Sequence, residues 1–388
     1  MDFLADELED LCKKGLYRQM APVDSTQGAR FVIGGRECLI LSSNNYLGLT
    51  HHPEVMRAAK AAVDEWGTGS GGSRLTTGNY GLHGKLEQEI ASFKGTEGAI
   101  VFGSGYAANI GVIQALVGTG DLVLSDRLNH ASIIDGCRMS RAELGVYSHR
   151  DMDQLEKLLI ESQSYRRRLI VTDGVFSMDG DLAPLPDIVC LAERHQAFVM
   201  VDDAHATGVY GRRGAGTADY FGLEARIQVQ MGTLSKALGS AGAYVAGSAR
   251  LIDYLVNRAR SFIFSTAPAP AAVGAALAAL RVLREQPEIR ESLWTNAGFL
   301  RKGLKSMGYH VPEEDSPIIP IMVGDNHSTM KLAGALLEEG VYAPGIRPPT
   351  VPRGTGRIRV TVMSAHTRED LDRALGAFAR AGRRAGVI

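Results

Sequence analysis

The sequence predicts an α/β fold, in which a mostly parallel central sheet is covered by helices on both faces and a smaller α+β domain follows. Short runs, several of them almost continuously apolar, alternate with helical stretches such as 187–195. Strands that crossover helices bury on both faces have this composition. After an alanine-rich stretch, the segments beyond Arg284 indicate the smaller α+β domain. The apolar runs lie at 99–103, 121–126, 168–176, 197–204, 227–233 and 242–247.

The flanking elements follow the same rules. Leucines at helical spacing within residues 4–11 indicate an amphipathic N-terminal helix. Residues 37–49 indicate a strand that runs into a polar turn, and the next helix begins near Pro53 and stops at Gly67. A strand at 357–363 with alternating arginines belongs to the smaller lobe. The predicted units are an N-terminal segment packing on the small domain (1–50), a large domain (51–284) and a small C-terminal domain (285–388).

Composition excludes several classes of protein. The chain has 388 residues, a formal net charge of −1 and 22% charged residues, and without a long basic run we expect no nucleic-acid partner. The apolar run 267–280 contains two prolines and stops at Arg281, which is too short for a membrane span. The cysteines are scattered without a CxxC pair, which argues against disulfides or zinc and favours a cytoplasmic location. They are Cys12, Cys38, Cys137 and Cys190.

A lysine and an acid follow two predicted strands. GTLSKALG, residues 232–239, places Lys236 among small residues, which in isolation indicates a surface turn. Asp202 ends another strand, and the interval between the two residues fits one strand–helix–strand crossover. Because ligands bind beyond the carboxyl ends of parallel strands, we expect both side chains at one site. Pyridoxal phosphate needs this pair, an amine for a Schiff base and an acid that keeps its ring nitrogen protonated.

Two other functions compete for these motifs. Asp202, Asp203 and His205 resemble metal ligands by type, but neighbours on one extended run point in alternate directions, so we expect no metal. FGSGYAAN, residues 102–109, opens a predicted helix whose N–H groups could cradle a phosphate. Read as GxGxxA, the same loop resembles a dinucleotide fingerprint. A nicotinamide-dependent dehydrogenase is therefore a rival, although it gives Lys236 no role.

Further polar residues lie at predicted strand ends, and each has a structural alternative. His130 is either a hydrogen-bonded core residue or an imidazole that stacks on a flat ring. Ser177 is either a turn residue or a contact to a ring oxygen. The loop 67–79 is either a flexible linker or part of a site or subunit interface. Arg357 and Arg359 share one side of a strand, where they face solvent or clamp a carboxylate.

Four segments together resemble the α-oxoamine synthase family of pyridoxal-phosphate enzymes, in the order that the family has. The resemblance extends over nearly the whole chain, from residue 42 to residue 367. It implies a fold like that of the aspartate aminotransferases (type I) and a homodimer with active sites at the subunit interface. It also implies that the large domain binds the cofactor. The four segments are 128–136, 172–181, 201–208 and 232–239.

The resemblance implies catalytic roles for Lys236, Asp202 and His130. Lys236 forms the Schiff base and then moves protons, Asp202 pairs with the pyridine nitrogen, and His130 stacks on the ring. Further residues contact the cofactor, and Thr266 among them would reach the phosphate held by the partner subunit. These further contacts are Gly105, Tyr106, Ser177, His205, Thr233 and Thr266.

The resemblance also implies the substrates, an amino acid and an acyl-CoA. Arg359 would clamp the amino-acid carboxylate, and Asn44, Arg18 and Thr350 would contact substrate.

Two segments, 69–87 and 346–359, favour the branch that condenses L-alanine with pimeloyl-CoA to 8-amino-7-oxononanoate, with release of CoA and CO2, in biotin synthesis. The alternatives are a glycine C-acetyltransferase, whose motifs at 128–136 and 172–181 are shared, and a synthase that accepts several acyl-CoAs.

Overall fold

The computed structural model describes residues 1, 3–14, 16–17, 20, 22–26 and 28–388. Strands and helices alternate through the middle of the chain. The strands are β1 (Arg30–Ile33), β2 (Arg36–Ile40), β3 (Gly98–Phe102), β4 (Leu122–Asp126), β5 (Glu143–Tyr147), β6 (Arg168–Asp173), β7 (Phe198–Asp202), β8 (Val229–Thr233), β9 (Ala243–Gly247), β10 (Ile318–Gly324), β11 (Val341–Tyr342), β12 (Gly345–Ile346) and β13 (Gly356–Thr361).

The helices cover the sheet and complete the smaller lobe. They are α1 (Phe3–Lys13), α2 (Pro53–Trp66), α3 (Gly81–Lys94), α4 (Gly105–Leu116), α5 (Ala131–Met139), α6 (Met152–Glu161), α7 (Leu185–Arg194), α8 (Thr217–Phe221), α9 (Ala249–Arg258), α10 (Arg260–Ile263), α11 (Pro270–Glu285), α12 (Pro287–Ser306), α13 (Asn326–Glu338) and α14 (Arg368–Ala385), with a short 3-10 helix at Leu49–His51.

Seven strands form the central sheet, in the order β3-β9-β8-β7-β6-β4-β5. The neighbours from β8 to β5 run parallel, which confirms the predicted, mostly parallel sheet. Strand β9 instead pairs antiparallel with β8 and β3. The segment 234–242 that joins β8 to β9 is too short for the crossover that a parallel neighbour needs. The strands β4, β6, β7 and β8 therefore end at one edge of the sheet.

Hydrophobic cores lie on both faces of this sheet, as the apolar strands require. Alternate residues of a strand face opposite sides, so β6 contributes to both cores. Leu169 and Val171 pack in the core that contains Val112 of α4. Ile170 packs in the opposite core with Ile188 of α7. Apolar side chains cover both faces, so polar chemistry is expected at the strand ends.

The C-terminal part of the chain forms a smaller unit. Its sheet has the order β10-β13-β12 with antiparallel pairing, and β11 pairs parallel with β2 from the N-terminal segment. Leu39 and Leu41 enter the same core as Ile319, Leu336 and Phe378. The helices α11 and α12 meet close to the predicted boundary at residue 284. The exact division into domains remains a prediction.

Within residues 3–14 and 28–388 and the short described pieces between them, no helix combines the length and the apolar character that crossing a bilayer requires.

Candidate active site

A polar cavity of about 260 Å³ lies at the carboxyl ends of the parallel strands. It brings together most of the residues that the sequence placed at strand ends. The side chains and backbone that line it belong to Gly105, Tyr106, Asn109, His130, Ser132, Asp173, Ser177, Asp202, Ala204, His205, Met231, Thr233, Ser235 and Lys236.

The amine of Lys236 projects into this cavity from the loop after β8. Its Nζ lies 3.0 Å from Nε2 of His205, whose Nδ1 lies 2.7 Å from the hydroxyl of Tyr46. Burial lowers the pKa of Lys236, although the charges of Asp202 and Asp173 oppose the shift. Burial, followed by the charge of Lys236, lowers the pKa of His205 well below its ordinary value. The site therefore favours a neutral imidazole beside an amine that loses its proton more easily than a lysine in water.

The carboxylate of Asp202 is held from two sides at the end of β7. Oδ1 accepts a hydrogen bond of 2.8 Å from the N–H of Ala204, and Oδ2 accepts one of 2.7 Å from Nδ2 of Asn109. The next residue, Asp203, points away from the cavity. It forms a fully buried ion pair with Lys94 at 2.9 Å. Strand alternation thus separates the two adjacent acids, and of the two only Asp202 lines the cavity.

His130 caps the start of α5 and lines the cavity with its ring. Its backbone N–H donates to Oδ2 of Asp173 at 2.7 Å, and its Nδ1 lies 2.7 Å from Oγ of Ser132. Partial burial lowers the pKa of His130, although the charge of Asp202 opposes the shift. Burial, together with the charge of Asp202, raises the pKa of Asp173 well above its ordinary value.

An anion-binding corner lies at the N-terminus of α4. Gly105 and Tyr106 are its first residues, so their N–H groups have no acceptor within the helix. Ser104 caps the helix by accepting from the N–H of Ala107 at 3.1 Å. A Cβ at Gly105 would lie 3.1 Å from Cε of Met231, so glycine keeps this corner open. Thr233 lines the same cavity, and such a corner suits a phosphate.

Arg357 and Arg359 point to the same side of β13, as alternation predicted, but neither faces solvent. Arg357 is ion-paired with Asp179. The guanidinium of Arg359 donates from Nε to the carbonyl of Ser177 at 2.5 Å and from Nη2 to Oδ1 of Asn44 at 3.2 Å. Among the described residues, Arg359 has no acidic partner within ion-pair distance, so its charge is available for a substrate carboxylate.

Two predicted contacts lie outside this cavity. Thr266 is exposed and forms an isolated β-bridge with Ser73 in the glycine-rich loop, outside this cavity. Thr350 lines a separate cavity of about 550 Å³ together with Tyr17 and Arg347. Arg18 lies outside the residues that the structure describes.

Several residues of the site escaped the sequence analysis. Asn109, Ser132 and Asp173 line the cavity, and Tyr46 orients His205. Asn109 follows Gly105 by one helical turn, so helical spacing could have placed it on the same face. Tyr46 offered no such signal, because its contact joins segments far apart in the chain.

A histidine clamp supports the loop that carries Ser177. Nδ1 of His149 lies 3.1 Å from Asp126, and Nε2 lies 2.7 Å from Asp181. Burial alone would lower the pKa of His149, but the hydrogen bonds to the two carboxylates outweigh it and raise the pKa to about 9. The protonated ring thus ties the end of β4 to the loop after β6.

We expect His149→Gln to destabilise the protein most at low pH. Because the folded pKa lies above the ordinary 6.5, the contribution of His149 is fully present below pH 6.5 and is lost as pH rises through about 9. The contribution to the free energy of unfolding is on the order of 3 kcal/mol. Urea unfolding of the wild type and the variant, between about pH 6 and pH 10, measures it. His327→Gln, at an exposed position, is the control. A difference from wild type that stays constant with pH would contradict the clamp.

The described residues fit pyridoxal phosphate. The cavity offers an amine of lowered pKa, a carboxylate for a ring nitrogen, an imidazole and a helix N-terminus, all converging on about 260 Å³. A dinucleotide would leave the amine of Lys236 and the carboxylate of Asp202 without a chemical role. No group of three or more His, Cys, Asp or Glu side chains in the described part of the chain is arranged to hold a metal ion.

Comparison with known proteins agrees with this geometry. The aminotransferase class I and II family model matches residues 36–378. The 8-amino-7-oxononanoate synthase of Geobacter sulfurreducens is 53% identical and covers 99% of each chain. That of Thermoanaerobacter pseudethanolicus is 49% identical and covers 100% of this chain and 98% of the relative. A serine palmitoyltransferase variant from S. paucimobilis, solved with PLP and myriocin bound, has a TM-score of 0.94 at 36% identity and covers 100% of this chain and 98% of that chain. The chain therefore belongs to the aminotransferase class I and II family and, within it, to the α-oxoamine synthases.

Proposed function

We propose that this protein catalyses the decarboxylative condensation of L-alanine with pimeloyl-CoA, which yields 8-amino-7-oxononanoate, CoA and CO2 for biotin synthesis. The observation that carries the chemistry is that the partly buried amine of Lys236 and the anchored carboxylate of Asp202 line one cavity. The choice of substrates is supported by full-length relatives, named 8-amino-7-oxononanoate synthase, at 49% to 53% identity.

Pyridoxal phosphate, when bound, supplies an electron sink for the amino-acid carbon that loses its proton. Lys236 would hold the cofactor, and Thr233 with the first N–H groups of α4 would hold its phosphate. The carboxylate of Asp202 would accept the N–H of the pyridine ring and keep that nitrogen protonated.

The protein's own residues then position the substrate and move its proton. Arg359 binds the alanine carboxylate, since its guanidinium has only neutral partners. Nζ of Lys236 removes the Cα proton, which requires the neutral amine. Burial lowers the pKa of Lys236 and so makes that form accessible nearer to neutral pH. His205, held by Tyr46 and itself neutral, places no second positive charge beside the amine.

Two aspects of the assembly belong to the same proposal. Thr266 is exposed beside the glycine-rich loop, where it is free to reach a second subunit, so we propose a homodimer with shared active sites. The scattered cysteines predict no disulfide framework, and this supports a cytoplasmic location. Arg18 and Thr350 remain proposed acyl-substrate contacts.

A panel of substrates tests the proposal. The holoenzyme is assayed for CoA release with L-alanine, glycine or L-serine against pimeloyl-CoA, acetyl-CoA or palmitoyl-CoA. We expect kcat/KM for L-alanine with pimeloyl-CoA to exceed every other pair by roughly 100-fold. A preference for glycine with acetyl-CoA would instead assign a glycine C-acetyltransferase. Equal rates across the acyl-CoAs would indicate a synthase without chain selectivity.

A further inference from the structure

A continuous chain of hydrogen bonds joins Asp202 to His130 beside the cavity. Nδ2 of Asn109 lies 2.7 Å from Oδ2 of Asp202 and 2.8 Å from Oγ of Ser132. Oγ of Ser132 in turn lies 2.7 Å from Nδ1 of His130. Asn109, Ser132 and Asp202 are 1%, 1% and 3% exposed, so water cannot replace the two hydrogen bonds that Asn109 makes.

Asp202 determines which atoms donate and which accept along this chain of hydrogen bonds. An ionised carboxylate can only accept hydrogen bonds, so the amide of Asn109 must turn its NH2 group toward Asp202. That orientation leaves Oδ1 of Asn109 buried without a partner among the described residues. Turning the amide over would bring Oδ1 against the carboxylate and replace a charge-assisted hydrogen bond with repulsion. Asn109 therefore donates one proton to Asp202 and the other to Ser132.

The remaining protons follow from this assignment. Because Oγ of Ser132 accepts from Asn109, its own O–H is free to donate to Nδ1 of His130. The backbone N–H of Ser132 also donates to that nitrogen, at 3.3 Å. Two donors converge on Nδ1, so that atom carries a lone pair and the ring proton lies on Nε2.

We infer that Asn109 and Ser132 are positioning residues that hold His130 as the neutral Nε2–H tautomer, so that His130 acts in the cavity as a hydrogen-bond donor. This assigns the two imidazoles and the lysine distinct tasks. Lys236 is the base, His205 supports it, and His130 presents an N–H to an oxygen atom of the bound substrate or cofactor. The catalytic consequence rests on the proposed condensation, whereas the tautomer itself does not.

The charged surroundings of His130 agree with a neutral ring. The groups that act on it are the carboxylates of Asp202 and Asp135, which raise its pKa, and the ammonium of Lys236, which lowers it. Asp173 is engaged by the backbone N–H rather than by the ring. Partial burial is the largest influence, and it lowers the pKa of His130.

Nitrogen NMR on the histidine-labelled holoenzyme tests the inference without reference to turnover. His130→Gln identifies the resonances of His130. In the wild type we expect a protonated Nε2 and an unprotonated Nδ1 near neutral pH. In Ser132→Ala we expect a mixture of the two tautomers and a higher pKa for His130, because a donor to the neutral form is lost. We also expect kcat to fall roughly tenfold with little change in KM, which corresponds to one hydrogen bond.

A matched control lies at the C-terminal end of α5, the helix that carries Ser132. Ser140, also buried, donates from Oγ to the carbonyl of Cys137 at 2.6 Å and has no contact with the site. Ser140→Ala should leave the resonances of His130 and kcat unchanged. A proton on Nδ1 in the wild type, or a Ser132→Ala spectrum identical to wild type, would overturn the inference. If His130 is the Nε2–H tautomer but alanine and pimeloyl-CoA are not substrates, the proposed function is wrong and the inference about Asn109 and Ser132 is retained.

Discussion

Lys236→Ala is expected to reduce turnover by a factor of at least about 10⁴, because in the proposed function this one side chain holds the cofactor and moves the substrate proton. The purified variant should also lack the visible absorbance of lysine-bound pyridoxal phosphate. Folding should be little affected, since the amine faces a polar cavity and not a packed core. Absorbance spectra and CoA release measure the two effects.

A small amine in solution provides a sharper test of the lysine. Removing the side chain leaves space in the cavity, so methylamine should restore a measurable fraction of α-proton exchange in Lys236→Ala. Lys60→Ala, at an exposed position on α2, should behave as wild type in every assay. A Lys236→Ala protein that keeps both its colour and its turnover would refute the role assigned to Lys236.

Asp202→Asn is expected to retain the cofactor but to slow α-proton exchange by roughly 100-fold, since a charge-assisted bond to the ring nitrogen becomes a neutral one. The measurement is loss of the deuterium of Cα-deuterated L-alanine to solvent, without acyl-CoA, by NMR. Cofactor content is determined in the same samples. An exchange rate equal to wild type would refute the assignment of Asp202 to the ring nitrogen.

The substitution should also act at a distance. An amide at position 202 offers an NH2 group where Asn109 now donates, so the side chain of Asn109 is expected to turn over and present its unpaired Oδ1. Ser132 would then donate to Asn109 in place of His130. The tautomer of His130 should therefore change in Asp202→Asn, although the two side chains do not touch. Asp173→Asn, next to the same ring, lacks this connection and serves as the control.

The centre of the site could be predicted from the rule that ligands bind beyond the carboxyl ends of parallel strands. Lys236, Asp202 and His205 follow neighbouring parallel strands, and the edge of the sheet alone brings them together. The roles assigned to individual residues rested on the family resemblance, and they remain predictions. The antiparallel β9 did not follow from composition, because its residues are as apolar as those of a parallel strand. Only the length of the connection reveals its direction.

Other features depend on contacts between distant segments and could not be predicted. Arg357 and Arg359 look equivalent in sequence, yet one pairs with Asp179 and the other does not. That difference is set by where the loop after β6 meets β13. The same holds for Asn109, whose importance follows from the carboxylate that lies opposite it in space and not from its neighbours in sequence.

The residues of the site come from distant segments of the chain, and this affects when the site forms during folding. The cavity is lined by segments near residues 105, 130, 177, 202 and 236. Arg359 of β13 reaches its edge by donating to the carbonyl of Ser177, so no contiguous half of the chain contains both the cavity and this arginine. Parallel strands also pair across long stretches of chain, which makes their assembly slow. Affinity for pyridoxal phosphate should therefore arise late in folding, after the two lobes have docked. Once bound, the cofactor would stabilise only the finished state, and its colour would report how many chains have reached it.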